Sequence, residues 1–318
     1  MNRIDSIRAG ELRAVARALT CVENDSGSRE ALIDELFPLG GRALVWGVTG
    51  APGSGKSTLV DRLITRLRGR GSRVGVIAVD PSSPFSGGAI LGDRLRMQSH
   101  AEDEGVFIRS MASRGYLGGV SGATGDAVRV LDAAGFDYII IETIGVGQTE
   151  IEVMGLSDLV LLILVPGMGD EIQALKAGVM EIGDLFVINK SDKDEARKIR
   201  AEVDYVLDMK YAENPQDKNP VAMTAAALDQ GVDDLLEAID AYTEKLRSSG
   251  RLEKRRRDRL SAEIHRILAE KIESQVRGWL RVDERTQQWV DAILDGVHPP
   301  YRFIQKQLDS FFREAKVR

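Results

Sequence analysis

The chain has 318 residues, 43 Lys and Arg against 49 Asp and Glu, a net charge of −6, and enough apolar residues (43%) for a sizeable core. A chain this long buries about three-quarters of its unfolded surface, so it needs no disulfide or metal staple. One cysteine (Cys21) and three histidines exclude a disulfide framework and leave little for a soft-ligand metal centre.

The acidic balance argues against nucleic acid as a partner. No apolar run approaches the ~20 residues of a membrane span. With no leader segment legible, the expected setting is the cytoplasm.

In chain order, residues 1–41 read as helices, with Ile4, Ile7, Leu12, Val15 and Leu19 at helical spacing. From Ala43 the pattern changes to short β-branched runs at 43–49, 74–79, 106–110, 138–142, 159–165, 185–189 and 221–224. Helical stretches fit between them at 56–68, 124–134, 171–182, 194–207 and 232–246. Several strands are apolar on both faces, which suits a mostly parallel sheet covered by helices on each side. After Gly250 no strand signal remains. A basic run, Arg251 to Arg259, reads as a solvated helix face, and the stripe Leu260, Ile264, Ile267, Leu268, Ile272, Val276 and Leu280 follows it. That stripe packs either on its own domain or on a partner helix. The expected layout is a helical extension (1–41), a nucleotide-binding α/β domain (42–249) and a helical arm (250–318).

The chemistry begins at Gly50-Ala51-Pro52-Gly53-Ser54-Gly55-Lys56-Ser57-Thr58, a complete G-x-x-x-x-G-K-S/T phosphate loop between a strand and a helix. Its glycines let backbone N–H groups converge on phosphate oxygens at a helix N-terminus whose dipole favours anions. Lys56 is the cation for the β- and γ-phosphates, and the Ser57 hydroxyl is a Mg²⁺ ligand.

An apolar strand then ends in Glu142, with Gly145 three residues on. This fits a strand-end acid that holds Mg²⁺ or its water shell, and a glycine whose N–H meets the γ-phosphate. Read alone, Glu142 fits a helix N-cap equally well. Asp80 and Asp93 bracket a Pro/Ser/Gly-rich loop; each either reaches Mg²⁺ or serves as a cap or turn residue. Gln148 is a candidate for orienting the attacking water, although it falls later than usual after Gly145. The candidate catalytic set is therefore Lys56, Glu142, Asp80 and Gln148.

One strand and helix later stands Asn189-Lys190-Ser191-Asp192. Asp192 offers a carboxylate to the N1–H and 2-amino group of guanine, which adenine lacks at those places, so such a site rejects adenine strongly. Asn189 is expected to brace the phosphate loop, the Lys190 stem to cover the base, and Thr224, Ala225 or Ala226 to supply a backbone N–H to the guanine oxygen. These residues predict GTP and GDP rather than ATP.

Together the phosphate loop, the stretch Val79-Asp80-Pro81 through Gly92-Asp93-Arg94, the Ile140-to-Glu150 segment and Asn189-Lys190-Ser191-Asp192 resemble the MeaB/ArgK family over nearly the whole chain. These are GTPase chaperones of adenosylcobalamin-dependent methylmalonyl-CoA mutase. The resemblance implies a P-loop NTPase of the SIMIBI class, homodimerisation through the C-terminal arm, and protection and cofactor loading of the mutase. Ala51 stands where dimer-activated members of that class carry a lysine, so no trans-acting lysine is expected. Cobalamin is not expected to be bound by a motif of this chain, because Asp295-Gly296-Val297-His298-Pro299-Pro300 departs from Asp-x-His-x-x-Gly. The alternatives are a GTPase serving another acyl-CoA mutase, a nickel-insertion GTPase and a transport-associated kinase or ATPase.

Overall fold

The computed structural model describes residues 3–24, 27–80, 100, 102–112, 119–143, 154–167, 179–280, 284–294, 296 and 298–315. Among them, each expected β-branched run forms a strand. These are β1 (Leu44–Gly50), β2 (Val74–Asp80), β3 (Val106–Ala112), β4 (Tyr138–Thr143), β5 (Leu159–Leu164), β6 (Leu185–Ile188) and β7 (Val221–Met223). They form one sheet in the order β3-β2-β4-β1-β5-β6-β7, every pair parallel. Parallel neighbours need helical crossovers, which is why helices cover both faces.

The two faces follow the period of two along β1. Leu44, Trp46 and Val48 point to the face covered by α4 (Lys56–Gly69) and α7 (Val232–Ser248). Leu59, Val60, Leu63, Ile64 and Leu67 form the stripe of α4 that fills this layer, each wholly buried. Val45 points to the other face, with Ile77, Ile139 and Ile141. That face is covered by α5 (Gly119–Ala133) and by the N-terminal helices α1 (Arg3–Arg8), α2 (Leu12–Glu23) and α3 (Arg29–Leu36). Ile7, Val15, Leu19 and Leu36 are at most 1% exposed, so the N-terminal helices share the core with the sheet. A third, smaller cluster packs α6 (Ala196–Lys210) on β5 and β6 through Val203 and Leu207. The helix expected at 171–182 falls largely outside the described residues; Val179–Glu181 is a 3₁₀ turn.

Two compact units emerge, Met1–Arg259 and Leu260–Arg318, so the first nine residues of α8 (Arg251–Leu280) belong with the sheet. In the second unit, α8 continues and is followed by α9 (Glu284–Leu294) and α10 (Pro300–Ala315). Its centre is aromatic: Trp279 lies 5.9 Å from Trp289 and 5.3 Å from Phe311, and Trp289 meets Phe303 edge-on at 6.0 Å. No helix among the described residues is long and apolar enough to cross a membrane.

The basic run at the start of α8 corrects one expectation. Lys254 and Arg257 are exposed, but Arg255, Arg256 and Arg259 turn inward. Arg256 grips the fully buried Asp158 with two hydrogen bonds, 3.0 and 2.7 Å, and Arg259 adds a third at 3.1 Å. Asp158 also accepts from the Val45 N–H at 3.0 Å, so it ties β1, β5 and α8 together. Arg255 pairs likewise with Asp184 (2.8 and 2.6 Å), which accepts from the Val160 N–H and the Tyr242 hydroxyl. Burial, reinforced by the Asp184 charge, pushes the Tyr242 phenol well above its ordinary range and keeps it a donor. A solvated face was expected because charge runs usually are one. What overrides this is a pair of buried carboxylates far away in sequence.

Removing Asp158 strands the buried Val45 N–H and leaves the partly buried Arg256 and Arg259 charges without their partner. Asp158→Ala should cost about 3–5 kcal/mol. At roughly 2–4 °C per kcal/mol for a unit of this size, the melting midpoint should fall by about 10 °C. Thermal unfolding followed by circular dichroism checks this, and an unchanged midpoint would show that the clamp contributes nothing to stability.

Candidate functional site

The phosphate loop leaves β1 at Gly50, whose φ is 148° and where a Cβ would stand 2.4 Å from the Ile163 carbonyl oxygen. Only glycine passes that close to the β5 backbone. The loop then turns through a Ser54 N–H to Ala51 O hydrogen bond of 3.1 Å and opens α4 directly at Lys56. The N–H groups of a first helical turn have no partners within the helix, and here they face the loop. The Lys56 ammonium lies across it, 2.7 Å from Gly50 O and 2.9 Å from Ala51 O. Lys56 and Ser57 are 6% and 8% exposed, so little water competes at this end of the site.

Glu142 arrives from the neighbouring strand. β4 lies beside β1 in parallel register, Val48 opposite Glu142. The Ser57 hydroxyl donates to Glu142 Oε1 at 2.6 Å, and one step further on Thr143 Oγ1 donates to Thr49 Oγ1 at 3.0 Å. A hydroxyl and a carboxylate this close form a hard-oxygen pair of the kind Mg²⁺ takes. Asp80 ends β2, whose other neighbour is β4, so its backbone stands on the same edge of the sheet one strand from Glu142. Asp93, Gly145 and Gln148 lie outside the described residues.

On the other side of β1, the segment after β6 meets the loop. Asn189 is 2% exposed, and its amide nitrogen and oxygen bond to two different segments. Its Nδ2 donates to Ser54 O at 2.8 Å, and its Oδ1 accepts from Thr224 Oγ1 (3.2 Å) and the Ala226 N–H (3.1 Å). Lys190 has a φ of 56°, which aims its ammonium at Gly53 O, 2.8 Å away. Ser191 N–H donates to Thr224 O at 3.0 Å, and Asp192 follows exposed.

The loop after β7 differs in detail from the sequence expectation. All three N–H groups expected near a base are spent inside the protein. Thr224 donates to Ile188 O (2.9 Å), Ala225 to Gln230 O (3.0 Å) and Ala226 to Asn189 Oδ1. The Ala227 N–H, on the exposed side of the turn, has no acceptor among the described residues. Three consecutive alanines carry no signal that would single out the third. Only the fold does so, by occupying the amides before it.

A phosphate loop, an adjacent strand-end carboxylate and an Asn-Lys-x-Asp segment hydrogen-bonded to that loop, all on one edge of a parallel sheet, define a P-loop NTPase of the GTPase kind. Comparison with known proteins agrees. Residues 15–279 match the family model described as methylmalonyl Co-A mutase-associated GTPase MeaB. A Pyrococcus abyssi relative is 48% identical over 281 residues, 86% of each chain. GTPase ArgK of Escherichia coli is 41% identical over 261 residues, covering 79% of this chain and 78% of its own. The Caenorhabditis elegans protein named methylmalonic aciduria type A homolog, mitochondrial, is 30% identical over 325 residues, 96% of this chain and 82% of its own. A crystal structure described as LAO/AO transport system kinase superposes with a TM-score of 0.71 at 29% identity, over 98% of this chain and 96% of that one. The chain belongs to the MeaB family and is a GTPase.

Asn189→Ala would strand the Ser54 carbonyl and the Ala226 N–H in a buried place. The expected cost is about 1–3 kcal/mol of stability, read as a lower urea midpoint, with GDP affinity falling alongside. A variant equal to the parent chain in both would show that the two segments hold their places without this brace.

Proposed function

We propose that the chain is a GTP- and Mg²⁺-dependent chaperone that gates adenosylcobalamin loading of methylmalonyl-CoA mutase, or of a related acyl-CoA mutase, and protects that enzyme. Support for the client lies in two printed descriptions: the family model names methylmalonyl-CoA mutase, and the Caenorhabditis elegans relative is named for methylmalonic aciduria. Its single intermediate-burial cysteine suits a reducing, cytoplasmic setting.

The observation that carries the guanine-nucleotide reading is the Asn189 brace, which makes the phosphate loop and the two base-facing segments one hydrogen-bonded unit. In this reading the phosphates lie over Gly53 to Thr58, with Lys56 supplying charge to the γ-phosphate as it leaves. Ser57 and Glu142 hold Mg²⁺, which supplies charge neutralisation at the phosphates when bound, and Asp80 and Asp93 are further candidates for its water shell. Gly145 meets the γ-phosphate, and Gln148 is the candidate for orienting water. At the other end Asp192 accepts from N1–H and the 2-amino group, the Lys190 stem covers the ring, and the Ala227 N–H donates to the 6-oxygen.

The arm is assigned to a second copy of the chain. Along α8, Leu260, Ile264, Ile267, Leu268 and Ile272 fall on one helical stripe and are 41–56% exposed. The arm's tryptophans pack on aromatic neighbours within the arm, while the aliphatic stripe offers a continuous apolar face to a partner helix.

Asp192→Asn should exchange guanine for xanthine preference, since an amide donor then faces the 2-position, where xanthine carries an oxygen. Calorimetry with GTP and XTP decides it; undiminished GTP affinity removes Asp192 from its role. The client is tested separately. A switch whose nucleotide states differ in affinity for the mutase must have its nucleotide affinity changed by the mutase to the same degree. Purified methylmalonyl-CoA mutase should shift the ratio of GTP to GDP affinity by roughly tenfold, a typical coupling. A ratio that stays constant at saturating mutase would count against the chaperone reading and leave the GTPase assignment standing.

A further inference from the structure

Among the described residues, two non-glycine side chains sit at positive φ: Lys190 at 56° and Asp229 at 57°. Each such residue stores backbone strain that the surroundings must hold, and such residues cluster at functional sites. Lys190 belongs to the Asn-Lys-x-Asp segment. Asp229 belongs to no motif, yet it lies in the loop that carries Ala227.

What holds Asp229 comes from the phosphate side of the molecule. Arg66, on α4, reaches Asp229 at 2.8 Å and also pairs side by side with Asp233, at 3.1 and 3.3 Å, in the first turn of α7. Arg62, one turn earlier on the same face, donates to the Ala226 carbonyl at 3.3 Å and stands 3.8 Å from Asp229. Arg66 is 20% exposed and Asp229 40%, so water reaches this contact from the carboxylate side. The loop itself is closed by paired hydrogen bonds between Ala225 and Gln230. It is followed by Gly231 at φ 70°, where a Cβ would stand 2.2 Å from Met223 O. Asn189 therefore anchors the loop on its buried side at Ala226 N–H, and Arg62 anchors the same peptide group's neighbour, the Ala226 carbonyl. The amide between these anchors and Asp229 is Ala227.

We propose that Arg66, with Arg62, is a positioning residue for guanine recognition. The two arginines clasp Ala226 and Asp229 so that the Ala227 N–H is presented to the 6-oxygen of the base. This rests on the guanine-site reading above and extends it. The helix that begins at the phosphates reaches the base loop about 15 Å further along its axis, ten residues at 1.5 Å each. The clasp thus gives α4 a second duty. A base-pair-like contact through one backbone N–H depends on where that N–H points; the loop's own hydrogen bonds set its turn, and the arginines set where that turn stands against α4.

The test compares GTP with 6-thioguanosine triphosphate, which keeps the N1–H and 2-amino donors but carries sulfur, a much weaker hydrogen-bond acceptor, in place of the 6-oxygen. Binding is measured by calorimetry on the full chain and on Arg66→Ala, Arg66→Lys and Asp229→Asn. The last variant keeps a residue type that tolerates positive φ while removing the charge. In the parent chain GTP should bind about tenfold or more tightly than the analogue. In Arg66→Ala and Asp229→Asn, GTP affinity should fall by about threefold to tenfold, the worth of one hydrogen bond, while affinity for the analogue stays the same. Arg66→Lys should recover part of the loss. If GTP and the analogue weaken by the same factor, or if either charge-removing variant keeps the parent's preference, the clasp is not a positioning device. A parent chain that shows no preference overturns the assignment of Ala227 to the 6-oxygen, and the clasp's role with it.

Discussion

One side-chain amide, that of Asn189, joins the parts of this molecule that a nucleotide has to meet. Its donor side takes the Ser54 carbonyl of the phosphate loop and its acceptor side takes Thr224 and the Ala226 N–H. Asn189 is almost wholly buried, so these bonds face little competition from water, and leaving any of them unmade is costly. The Lys190 ammonium repeats the connection one residue later, on Gly53 O. The phosphate loop, the Asn189 segment and the loop after β7 consequently act as one body, although 135 residues separate Ser54 from Asn189.

The parallel sheet divides labour between its two edges. At the carboxyl ends of β1, β4 and β6 stand Gly50, Thr143 and the start of Asn189 to Asp192, so the chemistry collects where the strands finish. At the opposite edge, Asp158 and Asp184 stand just before β5 and β6 and receive the arginines of α8. These carboxylates are buried and multiply bonded. Their role is structural: they fix the first turns of α8 against β1 and β5 without approaching the nucleotide end. The division has a simple origin, since every strand runs the same way and each loop at one edge follows a strand while each at the other precedes one.

The pairing of β1 with β4 sets the distance between the phosphate loop and the acid that serves it. With Val48 opposite Glu142, the Ser57 hydroxyl at the start of α4 falls within 2.6 Å of the carboxylate. A shift of that register by one residue would turn Glu142 to the other face of the sheet. The alternation that buries Val45 with Ile139 and Ile141 on one side, and Trp46 with Ile140 on the other, opposes such a slip.

The sequence by itself determined the strands and the phosphate loop, because each is written locally; Glu142, which alone fits a helix cap as well, was legible only beside that loop. A β-branched run buried on both faces, and a glycine pattern that only one turn geometry accepts, need no distant information. It also carried Asn189 and Asp192 as candidates, a weak signal by itself that gains meaning from the phosphate loop and strand-end acid upstream. Tertiary structure alone decided the rest. The inward arginines of α8 could not be read from a basic run, since what turns them in is Asp158 and Asp184, about 70 to 100 residues away. The arm's tryptophans pack on Phe303 and Phe311, and the aliphatic stripe is left exposed. Ala227 could not be told from the alanines before it until their amides were seen to be occupied. Hydrogen-bond satisfaction is a property of the whole fold, and it is there that a run of identical residues acquires different roles.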